Sequence, residues 1–227
     1  AVNKQLLPLY DKPLIYYPLS VLILAGIKNI LIITNKDEKS NFIKLLGDGS
    51  RLGIKITFLE QDRPKGLPDA FIVGEKFIGK DNVALILGDN FFYGLGFTNR
   101  LKKSLHKNKG ATIFTYNVNN PSDYGILETD KKNKIKRIVE KPSRSKSNLA
   151  ITGLYFFNHK VVNFAKNLKP SKRNELEIID LLKIYLKNGS LKSVFLGRGS
   201  AWLDTGNANN LFNASQYIAA IEERQGL

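Results

Sequence analysis

Apolar residues along this chain fall into short runs divided by polar, glycine and proline breaks, and two periods alternate. Leu14 to Ala25 carries the spacing of a buried helix stopped at Gly26, and NILIIT, Asn29 to Thr34, is the β-branched run of a core strand. Helical spacing returns over Asp37 to Leu46, Gly47 to Gly53 reads as a loop, and Ile54 to Leu59 is a second strand ending at Glu60-Gln61. A polar loop through Pro64 and Gly66 leads to a helix over Pro68 to Phe77. Then VALILGDNFFYG, Val83 to Gly94, runs from apolar residues straight into Gly88, Asp89 and Asn90. That is a strand buried on both faces that ends on a carboxylate.

Beyond it the pattern predicts a helix over Phe97 to Lys107 and a strand over Ala111 to Val118. YGILETD and IKRIVEKP, joined by a Lys/Asn turn, alternate as a small antiparallel hairpin, and Ile151 to Asn158 returns as a strand. Helices over Lys160 to Leu168 and Leu176 to Lys187 precede a short strand, Leu191 to Leu196; the chain then crosses GRGSAWLDTG and closes with a helix from Ala208 to about Glu223. The alternation of helix and strand in the first half is that of βαβ units, so the expected fold is α/β with a mixed, mainly parallel sheet flanked by helices. Such a sheet normally begins with a strand feeding a glycine-rich phosphate loop, but no glycine precedes Gly26. Either the fold lacks that unit or the chain is a fragment without its first strand and loop.

In such sheets ligands meet the carboxyl ends of strands, which makes Asp89 a candidate for a metal or phosphate site; taken alone it serves equally as a turn cap. The 227 residues suit one domain, and no apolar run is long enough to cross a bilayer. The absence of cysteine excludes a disulfide framework and thiolate metal sites and agrees with a cytoplasmic enzyme. His106 and His159 are the only histidines, and both lie in polar, helix-like surroundings, so any metal is expected on carboxylates. A net charge of +15 raises the possibility of a polyphosphate partner, but the lysines are scattered. The one dense cluster, Lys131 to Arg137, brackets the hairpin turn and reads as a solvated surface, so no nucleic-acid partner is expected.

Five stretches place polar residues at element ends: Lys4-Gln5, Glu60-Gln61 with Gly66, Asp89-Asn90, Glu140-Lys141-Pro142 and Trp202-Leu203-Asp204-Thr205-Gly206. Asp89 and Asp204 suit one Mg2+, which takes one or two carboxylates plus substrate phosphates, while Lys4 and Lys141 would balance phosphate charge. Phosphoryl or nucleotidyl transfer needs that division of labour. Each element also has an ordinary reading: a solvated lysine, a strand end, a turn that starts a helix, a core tryptophan.

KQLLPLYDKPLIYYPLSVLILAGI, the segment from Glu60 to Leu67, LGDN, YGILE, EKP, TGLYFF, ELEI and WLDTG together resemble the glucose-1-phosphate thymidylyltransferases, a branch of the GT-A-like sugar nucleotidyltransferases, through the whole chain and in order. The resemblance implies a Rossmann-like fold and a Mg2+-dependent reaction of dTTP with glucose 1-phosphate that gives dTDP-glucose and pyrophosphate. It also implies a role in dTDP-rhamnose or related deoxysugar synthesis and a homo-oligomer, a tetramer. By motif it makes Asp89 and Asp204 the metal ligands, Lys4 the residue that steadies the nucleotide phosphates, and Lys141 and Arg173 holders of the sugar phosphate. Gln5, Gln61 and Gly66 match positions that read the base, with Asp89 at the nucleotide phosphates. Asn90, Gly125, Glu140, Lys141 and Tyr155 match the glucosyl site, with Ile151 and Trp202 packing around it.

There are departures. The family's opening strand and GGxGTRL loop are absent, as is its C-terminal helical portion, so residues 1–227 read as one nucleotidyltransferase domain expected to be catalytically impaired. Asp69 stands where many relatives carry Gln, and Asn174 where Gly is usual. The alternatives are a uridylyltransferase of the same branch, a homologue that binds nucleotide sugars without turnover, and a basic nucleic-acid-binding domain.

Overall fold

A computed structural model of the protein describes residues 3–225. Asn3 caps a 3-10 turn at Lys4–Leu6, and a two-residue ribbon, β1 (Pro8–Leu9) with β2 (Lys12–Pro13), leads into α1 (Tyr16–Leu24). Strand β3 (Asn29–Thr34), α2 (Lys36–Leu46) and β4 (Lys55–Glu60) form a βαβ unit in which β3 and β4 run parallel. The helix expected over Pro68 to Phe77 is broken into α3 (Asp69–Val73) and α4 (Glu75–Ile78) at Gly74, where a Cβ would lie 2.9 Å from the Ala70 carbonyl oxygen and 3.0 Å from Leu31. Next come β5 (Val83–Ile86), β6 (Asn90–Gly94), α5 (Phe97–His106) and β7 (Ala111–Asn117). The predicted hairpin is β8 (Gly125–Thr129) with β9 (Ile135–Glu140). Then follow β10 (Leu149–Phe157), α6 (Val161–Lys166), α7 (Ile178–Lys187), β11 (Leu191–Phe195), β12 (Ser200–Asp204) and α8 (Ala208–Gln225).

The mixed α/β architecture is as expected, but its parallel pairings are only β3–β4 and β7–β11 among the described strands. Helix-strand alternation says nothing about a strand that returns from a hairpin, and β10 does so, inserting antiparallel between β7 and β5. Its first half also pairs with β8 at Ala150–Ile126, and its register against β7 shifts between Ile151 and Tyr155. The sheet therefore forks at Gly153. Both faces of β10 are covered: Tyr155 and Phe157 pack with Phe71, Ile179 and Tyr185, while Leu154 and Phe156 pack with Phe97, Phe114 and Trp202. That is why Leu154 to Phe157 is a continuous run of large apolar and aromatic residues instead of an alternating one, and why burying Phe156 and Phe157 stabilises the fold by about 2–3 kcal/mol each.

FFYG, the tail of the central stretch, and SAWLD, expected as a crossing, pair as an antiparallel ribbon, β6 with β12, matching Asn90 to Asp204 and Gly94 to Ser200. Helix α8 closes over it through Ala214 and Ile218, which pack with Leu9, Leu14, Tyr17 and Phe91. Among the described strands, β3 pairs only with β4 and β5 only with β10. Between β3 and β5 lies an apolar cavity of about 620 Å3, lined by Ile30, Leu31 and Ile33 of β3, Val83 and Leu85 of β5, and Phe71 below. No helix among the described residues is long and apolar enough to cross a membrane.

Candidate active site

The ribbon β6–β12 sets the two predicted metal ligands side by side, because Asp204 ends β12 opposite Asn90, the residue after Asp89. The backbone N–H of Thr205 donates to the Asp89 carbonyl oxygen at 3.0 Å, and its hydroxyl donates to the same atom at 2.7 Å. Burial pushes the Asp204 carboxyl up, and the nearby Asp89 charge pushes it further, while the Lys4 ammonium, the Gly206 N–H and Lys141 pull it down. Two hard carboxylates repelling each other at a strand-end crevice are a donor set that a divalent cation relieves, and Mg2+ needs no more from a protein when substrate phosphates complete its shell. No cluster of three or more His, Cys, Asp or Glu suited to a metal occurs among the described residues.

Lys4 Nζ lies 2.6 Å from Asp89 Oδ2, both partly exposed, so the ammonium is held at the carboxylate yet open to a ligand. The turn that aims it is capped by Asn3, whose Oδ1 accepts from the Gln5 N–H at 2.9 Å. Gln5 folds against Gly88, where a Cβ would sit 2.7 Å from Gln5 Nε2, so a larger residue at 88 would push the Gln5 side chain aside. Asn90, 1% exposed, is the hub behind the carboxylates. Its Oδ1 accepts from the Gly153 N–H at 3.1 Å and from Trp202 Nε1 at 2.6 Å, and its Nδ2 donates to Asp89 Oδ1 at 3.0 Å. The fork of the sheet, the tryptophan and the metal-ligand candidate are thus tied through one amide.

Glu140, Lys141 and Arg173 come together along a second cavity, of about 450 Å3, whose floor is Ile179. Glu140 sits across the hairpin from Gly125, where a Cβ would meet Ile179 at 2.7 Å and Glu140 Oε2 at 3.3 Å. Burial raises the Glu140 carboxyl, with Lys141 opposing it. Lys141 has φ 39, a left-handed conformation held by its N–H donating to the Tyr124 carbonyl, which turns the side chain out of the strand direction. Arg173 points at Glu177 at 2.9 Å and lines the same cavity. Tyr155 and Ile151 are buried beneath, and burial with the Glu140 charge beside it raises the Tyr155 hydroxyl. Trp202 and Asp204 line a third, polar cavity of about 630 Å3 with Asn117, Asn120, Asp123 and Asn207.

Gln61 and Gly66 form the remaining corner. Gln61 follows β4 and donates Nε2 to Asp69 Oδ2 at 2.5 Å. Gly66, φ 93, lies so close to the loop before α7 that a Cβ would meet the Leu176 carbonyl oxygen at 2.0 Å, and the Leu176 N–H donates to the Lys65 carbonyl at 2.8 Å. Asn174 adopts φ 61, the left-handed conformation that Asn tolerates best after Gly, so this departure from the pattern leaves the turn intact. The sequence did not reveal Thr205 as a clamp or Asn90 as a hub, since each acts through one distant hydrogen-bonded partner. For Asp69 the signals were a carboxylate in the otherwise apolar GLPDAF and its departure from the Gln of many relatives, and neither pointed to Gln61 as its partner.

The nucleotidyl transferase family profile matches residues 1–221. The chain is 53% identical to a glucose-1-phosphate thymidylyltransferase of Neisseria meningitidis over all 227 residues and 79% of that protein, and 50% identical to one of Mycolicibacterium smegmatis over 78% of its length. Among solved structures, one from Bacillus anthracis assigned to the glucose-1-phosphate thymidylyltransferases superposes with TM-score 0.88 at 34% identity, covering 95% of this chain and 86% of that one. A UDP-glucose pyrophosphorylase complexed with UDP-glucose superposes at 0.82 and 26% identity, covering 96% of this chain and 90% of that one. With a family profile spanning nearly its whole length and enzyme relatives at this identity, the chain belongs to the nucleotidyl transferase family, in the branch of the glucose-1-phosphate thymidylyltransferases.

Proposed function

We propose that the protein transfers a thymidylyl group from dTTP to glucose 1-phosphate, giving dTDP-glucose and pyrophosphate, with Mg2+ on Asp89 and Asp204. The observation that carries this reading is the pair of aspartates joined through Thr205, with Lys4 on one of them. A sugar-phosphate oxygen attacks the α-phosphorus, the bond from that phosphorus to the bridging oxygen breaks, and pyrophosphate leaves with the bond's electron pair. Bound Mg2+ would neutralise charge on the phosphates. Lys4 would shift from Asp89 toward the nucleotide phosphates. Lys141 and Arg173 would hold the sugar phosphate in line, where proximity is worth several kcal/mol. Glu140 would accept hydrogen bonds from glucosyl hydroxyls, with Gly125 giving room and Tyr155, Ile151 and Trp202 supporting the wall. Gln5, Gln61 and Gly66 would meet the base.

The cavity between β3 and β5 supports the expectation that the complete fold holds one more strand there, followed by a glycine-rich loop that reaches the phosphates near Lys4. The exposed Leu95 and Phe212 support a homo-oligomer, and the product class suits deoxysugar synthesis in the cytoplasm.

The test is pyrophosphate release from dTTP or UTP with glucose 1-phosphate and Mg2+. We expect turnover that favours dTTP, loss of it in Asp89→Asn and Asp204→Asn with an unchanged circular dichroism spectrum, and faster turnover once a strand and GGxGTRL loop are added. Normal rates in either aspartate variant would refute the metal assignment, and a clear preference for UTP would move the protein to the uridylyl branch.

A further inference from the structure

We propose that Asp69, by holding the amide of Gln61 in one sense, selects the hydrogen-bonding edge of the base and admits pyrimidine imides, thymine and uracil, over cytosine. The inference rests on the reading of Gln61 as a residue that meets the base.

Asp69 is the first residue of α3 and is 7% exposed. A buried carboxylate needs a donor. Among the described residues its side chain has one hydrogen bond, from Gln61 Nε2 at 2.5 Å, and no ion pair. Its neighbours in sequence, Leu67, Pro68, Ala70 and Phe71, offer no polar side chain, so Gln61 is what this carboxylate serves.

A glutamine amide is nearly symmetric in shape and opposite in chemistry at its two ends: one oxygen that accepts, one NH2 that donates. Turning it over exchanges the two. A carboxylate only accepts, so Asp69 fixes which end faces it. The turned-over amide would set two acceptor oxygens against each other out of water. With one N–H committed to Asp69, Gln61 presents Oε1 beside its second N–H. That acceptor-donor pair matches the N3–H donor and adjacent carbonyl of thymine or uracil. Cytosine carries the reverse, an acceptor N3 beside an amino donor at C4. A free glutamine reads either edge by turning over; a clamped one leaves cytosine facing like groups, and specificity built on unpaired polar atoms is steep.

The experiment is calorimetric titration of dTTP, UTP and dCTP, with Mg2+, into the full chain and into its Asp69→Asn, Asp69→Ala and Gln61→Ala variants. The wild type should bind dTTP at least about thirtyfold more tightly than dCTP. In Asp69→Asn, whose amide can donate as well as accept, that ratio should narrow by about tenfold, chiefly through tighter dCTP binding, while the dTTP to UTP ratio stays fixed. An unchanged dTTP to dCTP ratio in both Asp69 variants, with dTTP weakened by Gln61→Ala, would overturn the clamp and leave the base-reading role standing. Unchanged dTTP affinity in Gln61→Ala would overturn the base-reading role itself. A shift in the dTTP to UTP ratio would assign Asp69 to general support of the pocket and sink the proposal. Should the Asp69 variants fail to fold, the wild-type Gln61 side-chain NH2 resonances decide: one proton shifted downfield by the carboxylate supports the clamp, and a free-amide pair overturns it.

Discussion

Thr205 donates both its backbone N–H and its hydroxyl to the carbonyl oxygen of Asp89. The two aspartates lie far apart in the chain, and pairing of β6 with β12 brings their strands together; Thr205 then fixes the last residue on each side after the ladder ends. The separation of the two main chains is therefore set by the ladder and by Thr205, and each carboxylate is placed from that fixed point by its own side-chain rotamer.

Thr205→Val keeps the shape of this fully buried residue and removes only the hydroxyl. The Asp89 carbonyl retains the N–H bond, so the stability cost should be about 1 kcal/mol. The effect on the site should be larger in kind: the Mg2+ concentration for half-maximal turnover should rise several-fold, while the KM for glucose 1-phosphate barely moves. A variant that loses stability but keeps its Mg2+ dependence would show that Thr205 supports the fold without setting the carboxylate pair.

Much of this was legible in the residues. Helical and β periods locate nearly every long element, and a carboxylate directly after VALIL marks the site. Strand direction was not legible, because β10 is equally apolar whichever way it runs between β5 and β7, and its antiparallel course is decided by the hairpin before it. Nor was the β6–β12 ribbon: FFYG and SAWLD are short, glycine-flanked segments whose partners lie in another part of the chain. Thr205, Asn90 and Asp69 escape for a related reason. What each does depends on one atom contributed from elsewhere, and a residue type at a spacing carries no trace of that atom.

Gly66→Ala tests whether the base corner and the sugar-phosphate corner are mechanically joined. The new Cβ would have to displace the Leu176 carbonyl, and the φ of 93 is strained for alanine by about 1–3 kcal/mol on its own. Since the Leu176 N–H is bonded to the Lys65 carbonyl, movement of one loop carries the other, which bears Arg173. Steady-state kinetics should show the KM rising for both dTTP and glucose 1-phosphate. A rise confined to dTTP would mean that the loops move independently.

Glu140 sets ligand binding against stability. Burial is the main cause of its raised carboxyl, with Glu177 and Asp180 adding to it and Lys141 and Arg173 opposing. A carboxyl raised in the folded state holds its proton more tightly there than in the unfolded chain. Its contribution to stability therefore falls as pH climbs from the ordinary glutamate value through the raised one. Glu140→Gln has no proton to lose. Urea midpoints should be close for the two proteins at pH 4 and should move in favour of the variant toward pH 7, while the KM for glucose 1-phosphate rises in the variant at every pH above that window. A wild-type advantage that grew with pH would show that the ionised carboxylate is stabilised in place by Lys141 and Arg173.

Asn90 separates a contact with sugar from a structural hub. Its oxygen is the acceptor for Trp202 Nε1 and for the Gly153 N–H, both buried, so Asn90→Ala strands two donors at about 1–3 kcal/mol each. It also removes the Nδ2 bond that steadies Asp89. The expected result is a loss of about 2–5 kcal/mol in urea unfolding together with a fall in kcat, because the fork at Gly153 and the carboxylate both lose their tie. Were Asn90 chiefly a ligand for glucosyl hydroxyls, the unfolding midpoint would hold and only the KM for glucose 1-phosphate would rise. Trp202 fluorescence gives a third reading independent of turnover: freed from its hydrogen bond, the indole should shift its emission in the unliganded variant before any substrate is added.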